Sequence, residues 1–233
     1  MKLGILETGR PPRSLQPQFG DYPGMFRALL GEGAYAYSTF RVFDGELPDR
    51  PEACDAYLVT GAAAGVYDPL PWIAELKAFL LAAKGRAALV GVCFGHQMMA
   101  EAFGGRVIKS PKGWGIGLHA YDVVSREPWM DGPDRFRAAA SHQDQVVEAP
   151  PGARVIAASA FSPLGMLAYD DQPAISLQLH PEFDRAYAEA LMEGRRGEIY
   201  GEAEVRRAMA SFETADDRAR VGGWIRRFLA GIS

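Results

Sequence analysis

The sequence predicts an α/β protein built on an open, doubly wound, mainly parallel sheet with an antiparallel extension and a helical C-terminus. Three observations predict it. Short apolar runs of β character alternate with helical patterns over the first half of the chain. Two of those runs, 56–60 and 87–92, are nearly all apolar, as strands covered on both faces require. From Arg106 onward the texture changes to short strands divided by Gly and Pro turns, which suits antiparallel pairing.

Taken in order, residues 2–6 and 37–43 read as strands, with a helix over 24–30 between them. Residues 56–60 and 87–92 are the next strands, separated by a helix over 71–83. There Trp72, Ile73, Leu76, Phe79 and Leu80 keep an i, i+3, i+4, i+7 stripe, and Pro71 sits in the first turn. A helix over 97–103 follows the fourth strand. Short strands are then expected at 106–108, 118–124, 136–140, 155–159, 164–169 and 174–179, with loops at 111–117 and 125–134. Gly113, Gly115 and Gly117 follow no strand and open no helix, so they read as a turn and not a dinucleotide fingerprint. From Asp184 the pattern is helical, ending in an amphipathic stretch over 215–229. No repeat, low-complexity tract or linker interrupts the chain, so one domain over residues 1–233 is expected.

Composition excludes several classes of function. The 233 residues are 48% apolar, and 25 basic residues nearly cancel 29 acidic ones, so neither disorder nor a basic nucleic-acid surface is expected. The tail from Asp184 carries nine residues of each sign and reads as a solvated helical face. Cys54 and Cys93 cannot build a disulfide framework, which points to a reducing, cytoplasmic location. The N-terminus shows no secretory pattern, and the longest apolar run, 87–94, is too short to span a bilayer. No metal site or cofactor motif stands out.

The strongest local signal is Val90-Gly91-Val92-Cys93-Phe94-Gly95-His96-Gln97. An apolar strand runs into Gly-x-Cys-x-Gly and then a helical segment, the cysteine form of a nucleophile elbow. A turn this sharp requires small residues on either side of the nucleophile, which sits in a strained conformation above the sheet. The following helix aims its N-terminal amides at the sulfur, an environment suited to an anionic nucleophile. Its first amide, on Phe94, is placed to bind an oxyanion. The plainer reading, a buried core cysteine between packing glycines, remains for a cysteine taken alone.

A second signal removes that ambiguity. The strand over 174–179 ends in His180-Pro181-Glu182, at the strand end where open α/β sheets place their ligands. Residues two apart around a proline can point the same way, so Glu182 can hold Nδ1 of His180 and leave Nε2 to serve Cys93. The absence of Asn excludes a Cys-His-Asn triad. The strand over 56–60 opens into Gly61-Ala62-Ala63-Ala64-Gly65, whose small residues let the amides of Gly61 and Ala62 complete an oxyanion hole. Ser141, His142 and Asp144 form either a strand-end turn or part of a substrate site. His96 and His119 read as structural, and Cys54 as a packed thiol.

Gly91-x-Cys93-x-Gly95-x-Gln97 together with His180-x-Glu182 resembles the class I glutamine amidotransferase family. Within it the chain is similar to stand-alone relatives of the glutaminase part of guanosine monophosphate synthetase, from Met1 to about Asp184. The resemblance implies a flavodoxin-like three-layer fold and a Cys93 nucleophile with His180 as base and Glu182 as its orienter. It implies an oxyanion hole from the Gly61 loop and Phe94, with Gln97, Ser141, His142 and Asp144 near the bound substrate. The substrate it implies is glutamine or another small γ-glutamyl molecule, cleaved through a cysteine thioester without a cofactor. An ammonia-accepting synthase is the implied partner. A γ-glutamyl peptidase acting without such a partner and a non-catalytic binding protein on the same fold are the alternatives. One departure stands out: the family often has Gly-Gly-Pro where this chain has Gly61-Ala62-Ala63, and alanine does not adopt positive φ cheaply.

Overall fold

The computed structural model describes residues 1–232. Its elements in chain order are β1 (Lys2–Glu7), α1 (Gln16–Phe19), α2 (Tyr22–Leu30), β2 (Ala36–Arg41), β3 (Ala56–Val59), α3 (Pro71–Ala83), β4 (Ala88–Val92) and α4 (Phe94–Ala102). Then come β5 (Arg106–Lys109), β6 (Gly115–Val123), β7 (Arg135–His142), β8 (Asp144–Glu148), β9 (Ala153–Ala158), β10 (Met166–Tyr169) and β11 (Ala174–Leu177). Three helices close the chain: α5 (Arg185–Glu193), α6 (Glu202–Ser211) and α7 (Arg218–Ala230). No helix among the described residues is long and apolar enough to cross a membrane.

Nine strands form one sheet in the order β2-β1-β3-β4-β11-β10-β9-β6-β7. The first five are parallel, and every pairing from β11 to β7 is antiparallel. Successive side chains of a strand point to opposite faces, and both faces are covered. On one, Leu58 and Val90 pack with Phe26 of α2 and Trp224 of α7. On the other, Tyr57 and Leu89 pack with Leu76 of α3 and Met99 of α4. A third cluster seats Tyr187, Leu191 and Val205 of α5 and α6 on Ile116 and Leu118 of β6. This is the doubly wound sheet with an antiparallel extension and a helical C-terminus that the sequence predicts.

The departures from expectation lie at element ends and in the second half. The 174–179 run, grouped by its Gly/Pro setting with the antiparallel strands, pairs parallel with β4. It is buried on both faces and chain-distant from its partner, and local pattern carries no information about that pairing. Residues 106–109 join β8 in a separate two-stranded ribbon, and β8 itself adds to the strands the sequence predicts. Gly115 and Gly117 lie inside β6 and not in a turn before it. Helix α4 starts at Phe94, three residues before the expected 97, because the elbow passes straight from strand to helix.

Candidate active site

The C-terminal ends of β1, β3, β4 and β11 converge on one sheet edge, where loops leave parallel strands and ligand sites form. Cys93 is the turn between β4 and α4. Its backbone lies at φ 53 and ψ −103, the single positive-φ non-glycine among the described residues. Conformations of this kind cost on the order of 1–3 kcal/mol and persist where the surroundings impose them. Here two glycines impose it. A Cβ on Gly95 would lie 2.4 Å from the Val59 carbonyl oxygen, and one on Gly91 would lie 2.6 Å from Gly95 and from the Met99 sulfur. Neither position tolerates a side chain, so strand and helix close to within backbone contact and Cys93 is lifted out of the stack.

His180 reaches the same point from β11. Its amide donates to the Ala139 carbonyl at 2.9 Å, which stitches the turn to β7. Ring Nδ1–H donates to Glu182 Oε1 at 2.7 Å, and Nε2 makes no hydrogen bond. A Cβ placed on Gly61 would stand 3.1 Å from His180 Cε1 and 3.6 Å from Cys93 Cβ. The ring and the cysteine therefore flank one spot, and Gly61 closes its third side, where a side chain would crowd the ring. Cys93, His180 and Glu182 are 5%, 4% and 2% exposed, so their charges act with little water to screen them. Burial alone disfavours an imidazolium, but the charges of Glu182 and Cys93 outweigh it and raise the His180 pKa.

The turn bearing His180 is held from outside. Phe183 stacks on the imidazole with centroids 4.0 Å apart and planes at 8°. Arg218, at the start of α7, donates from Nε to the Pro181 carbonyl at 3.2 Å and from Nη2 to the Glu182 carbonyl at 3.3 Å.

The loop after β3 is positioned by β1. The Thr8 hydroxyl contacts the Thr60 carbonyl at 2.9 Å and the Gly61 carbonyl at 3.2 Å. In a trans peptide the carbonyl and the next N–H point in opposite directions. Holding the Gly61 carbonyl toward Thr8 therefore turns the Ala62 N–H away from Thr8. Neither Gly61 nor Ala62 has positive φ, so alanine stands at this position without strain.

These residues open onto a cavity of about 390 Å³ lined by Gly61, Ala62, Cys93, Gln97, Ser141, His142, Asp144 and His180. Of the polar candidates, Cys93, Gln97, Ser141, His142, Asp144 and His180 thus share one chamber; Glu182 stands behind His180, outside its lining, and Phe94 is buried at the N-terminus of α4. Gln97 Nε2 donates to the Asp144 carbonyl at 2.8 Å, which ties α4 to β8. His142 is committed on both nitrogens, Nδ1 to the Asp144 carbonyl at 3.0 Å and Nε2 to Ser162 at 3.3 Å. Burial pushes its pKa down to about 3, so it is a neutral strut of the wall. His96 is similarly buried, shares a hydrogen bond with Ser176 at 2.8 Å and is pushed down to about 3. It does not line the cavity, in keeping with a structural role. Asp144 accepts from the Tyr67 hydroxyl at 2.7 Å, and burial raises its pKa.

Sequence reasoning missed Thr8, Tyr67, Lys109, Phe183 and Arg218. Lys109 lines the cavity and is the register partner of Asp144 across the β5–β8 ribbon. Without that ribbon nothing linked them. Phe183 directly follows His180-Pro181-Glu182, and its place there was the one available signal.

A nucleophilic side chain beside a buried base, with the base's other nitrogen held by a carboxylate, is an arrangement suited to covalent acyl transfer. The family model for glutamine amidotransferase class-I matches residues 48–192. Gamma-glutamyl peptidase 4 of Arabidopsis thaliana is 29% identical over 176 residues, 72% of this chain and 70% of that protein. A subunit of the glutamine-hydrolyzing GMP synthase of Methanopyrus kandleri is 35% identical over 104 residues, 42% of this chain and 53% of its own length. The crystal structure of a glutamine amidotransferase from Thermotoga maritima superposes with a TM-score of 0.75 at 20% identity, covering 99% of this chain and 97% of that one, a likeness of fold.

Proposed function

This chain belongs to the glutamine amidotransferase class-I family, and we propose that it hydrolyses the γ-amide bond of glutamine or of another γ-glutamyl compound through a Cys93 thioester. One observation carries the reading. A cysteine held at φ 53 on a strand-to-helix elbow faces a buried histidine whose Nε2 is unengaged and whose Nδ1 is bound to Glu182 at 2.7 Å.

In this reading His180 Nε2 takes the thiol proton and the Cys93 sulfur attacks the γ-carbonyl carbon. The carbonyl electrons move onto oxygen, where the Phe94 amide and the amide of Ala62 or Gly61 stabilise the developing charge. Collapse breaks the C–N bond, and His180 gives its proton to the departing ammonia or amine. Water, deprotonated by the same ring, then cleaves the thioester to release glutamate and restore the thiol. Glu182 keeps the proton on Nδ1 and stabilises the imidazolium. Gln97, Ser141 and Asp144 face the glutamyl group, and both thiols are kept reduced in the cytoplasm.

Two readings of the leaving group differ in where the nitrogen goes. The kinship with a γ-glutamyl peptidase favours release of an amine into solvent. The kinship with a GMP synthase component favours delivery of ammonia to a synthase partner. The first is also supported by the cavity wall beyond His180, where Phe183, Leu191 and Ile199 extend it. Ammonia release from glutamine, measured beside amine release from γ-glutamyl dipeptides, separates them. Dipeptide turnover well above glutamine turnover supports the peptidase. Glutamine turnover that appears only on adding a synthase supports the amidotransferase. No turnover of either, alone or with a synthase, overturns the enzyme reading. A glutamine-like electrophile should label Cys93 and spare Cys54; equal labelling would remove Cys93 from the mechanism.

A further inference from the structure

The cavity wall divides by chemistry into two ends, and each end is tied to one of the two reacting side chains. From Cys93 the chain continues into α4, where Gln97 binds the Asp144 carbonyl. There Lys109 and Asp144 stand as register partners, with the Tyr67 hydroxyl on Asp144. That end carries Lys109 together with Asp144 and Asp68, charges of both signs, which matches the ammonium and carboxylate of a free α-amino-acid head. From His180 the chain continues through Phe183 into α5, and Leu191, Arg195 and Ile199 of this segment line the cavity beside Trp114.

The second end is apolar apart from Arg195; Arg10, the other arginine lining the cavity, is paired with Glu7 at 3.4 Å. Arg195 Nη1 donates to the hydroxyl of buried Tyr200 at 3.0 Å, and Tyr200 packs edge-on against Trp114 with centroids 5.4 Å apart. The Arg195 carbonyl accepts from the amides of Ile199 and Tyr200 at 3.0 and 3.1 Å, which winds the segment tightly around it. Its neighbour Arg196 is satisfied twice, by Glu193 at 2.7 Å and Glu202 at 2.9 Å. Arg195 makes no ion pair among the described residues. Ile199 is 48% exposed although it is a large apolar side chain, so this part of the wall lacks an apolar cover.

We propose that Trp114, Leu191, Ile199 and Arg195 form a subsite for the amine half of the substrate, accepting amines that carry a carboxylate beside an apolar or aromatic side chain. The inference rests on the γ-glutamyl hydrolase reading and deepens it: γ-glutamyl derivatives of such amines are preferred over glutamine. The leaving nitrogen takes its proton from His180, so the amine half must extend on the His180 side, over Phe183 and toward Arg195. The zwitterionic glutamyl head belongs at the opposite end, where both signs are present.

The test measures glutamate release from γ-glutamylphenylalanine, from its C-terminal carboxamide and from glutamine. A charge-assisted contact to a guanidinium predicts kcat/KM about tenfold higher for the acid than for the carboxamide. The acid should also exceed glutamine by about tenfold or more, through the apolar wall. In Arg195→Met the acid-to-carboxamide ratio should fall to within about twofold, while Arg195→Lys keeps most of it. Equal values for acid and carboxamide in the wild-type protein overturn the subsite without touching the hydrolase reading. A ratio that survives in a folded Arg195→Met protein does the same. Absence of release from all three compounds overturns both.

Discussion

The turn after β4 and the turn after β11 stand side by side on one sheet edge, and they are held by opposite means. At Cys93 the restraint is local. Gly91 and Gly95, two residues to either side, allow strand and helix to touch, and the strain is stored in one residue's φ and ψ. At His180 the backbone has no positive φ. That turn is assembled from a distance, by the Ala139 carbonyl, by Arg218 some 36 residues on and by the Phe183 ring. The contrast teaches that an elbow cysteine can be specified by a pentapeptide, whereas a histidine with a set orientation requires packing around it.

The sharpest way to break the comparison is at the elbow. Cys93→Ala should lower turnover by a factor on the order of 10⁴ or more while the protein stays folded. Cys93→Gly should be equally inactive, yet more stable than Cys93→Ala by about 1 kcal/mol, because glycine accepts φ 53 without strain. Thermal melts of the two variants test this; equal melting would place the strain elsewhere.

The next largest effect is expected at the base. Glu182→Gln removes the charge behind His180 and should lower kcat by about 100-fold, with KM changed much less. The same charge sets a pH signature. The folded pKa of His180 is raised above the ordinary 6.5, so the folded state binds more protons than the unfolded one above that pH. The stability contributed by the Glu182–His180 pair is fully present below about pH 6.5 and is lost as pH rises through the folded value. Urea melts of wild type and Glu182→Gln should therefore converge toward alkaline pH. A gap that widens with pH would reverse the assignment.

Arg218→Met tests whether the distant clamp orients the base. Two carbonyls lose a charged donor, which predicts a loss of about 1–3 kcal/mol in stability. A fall of about tenfold in kcat and a shifted pH profile should accompany it, with Arg218→Lys partly restoring both. Stability loss with an unchanged pH profile would make Arg218 a packing residue only. The smallest effect is expected at Thr8→Val, which leaves the Gly61 carbonyl only its contact with the Thr60 hydroxyl at 3.3 Å. A few-fold loss in kcat and unchanged labelling of Cys93 would show that the loop and not the nucleophile was disturbed.

Much of this was legible in the chain. The apolar runs at 56–60 and 87–92 announced a covered parallel sheet because their composition needs apolar neighbours on both faces. The Gly91-x-Cys93-x-Gly95 spacing announced the elbow because few other arrangements need glycine on both sides of a cysteine. His180-Pro181-Glu182 announced the contact of Glu182 with Nδ1 of His180, which closes at 2.7 Å, because two residues around a proline share a direction. The pairing of β11 with β4 was not legible, nor was the β5–β8 ribbon that sets Lys109 against Asp144. Strand partners distant in sequence leave no periodic trace in either strand.

The sequence by itself determined the layering of the first half, the elbow and the pair His180–Glu182, each written in residues at most a few positions apart. Only the tertiary structure decided that Cys93 and His180 flank one glycine, that Thr8 turns the Gly61 peptide and that Arg218 grips the base turn. It alone set Arg195, which makes no ion pair among the described residues, at the far end of the same cavity. The physical reason is range. Backbone sterics and side-chain direction act between near neighbours in the chain, while hydrogen bonds, stacking and charge act between whichever groups the folded core brings within a few ångströms.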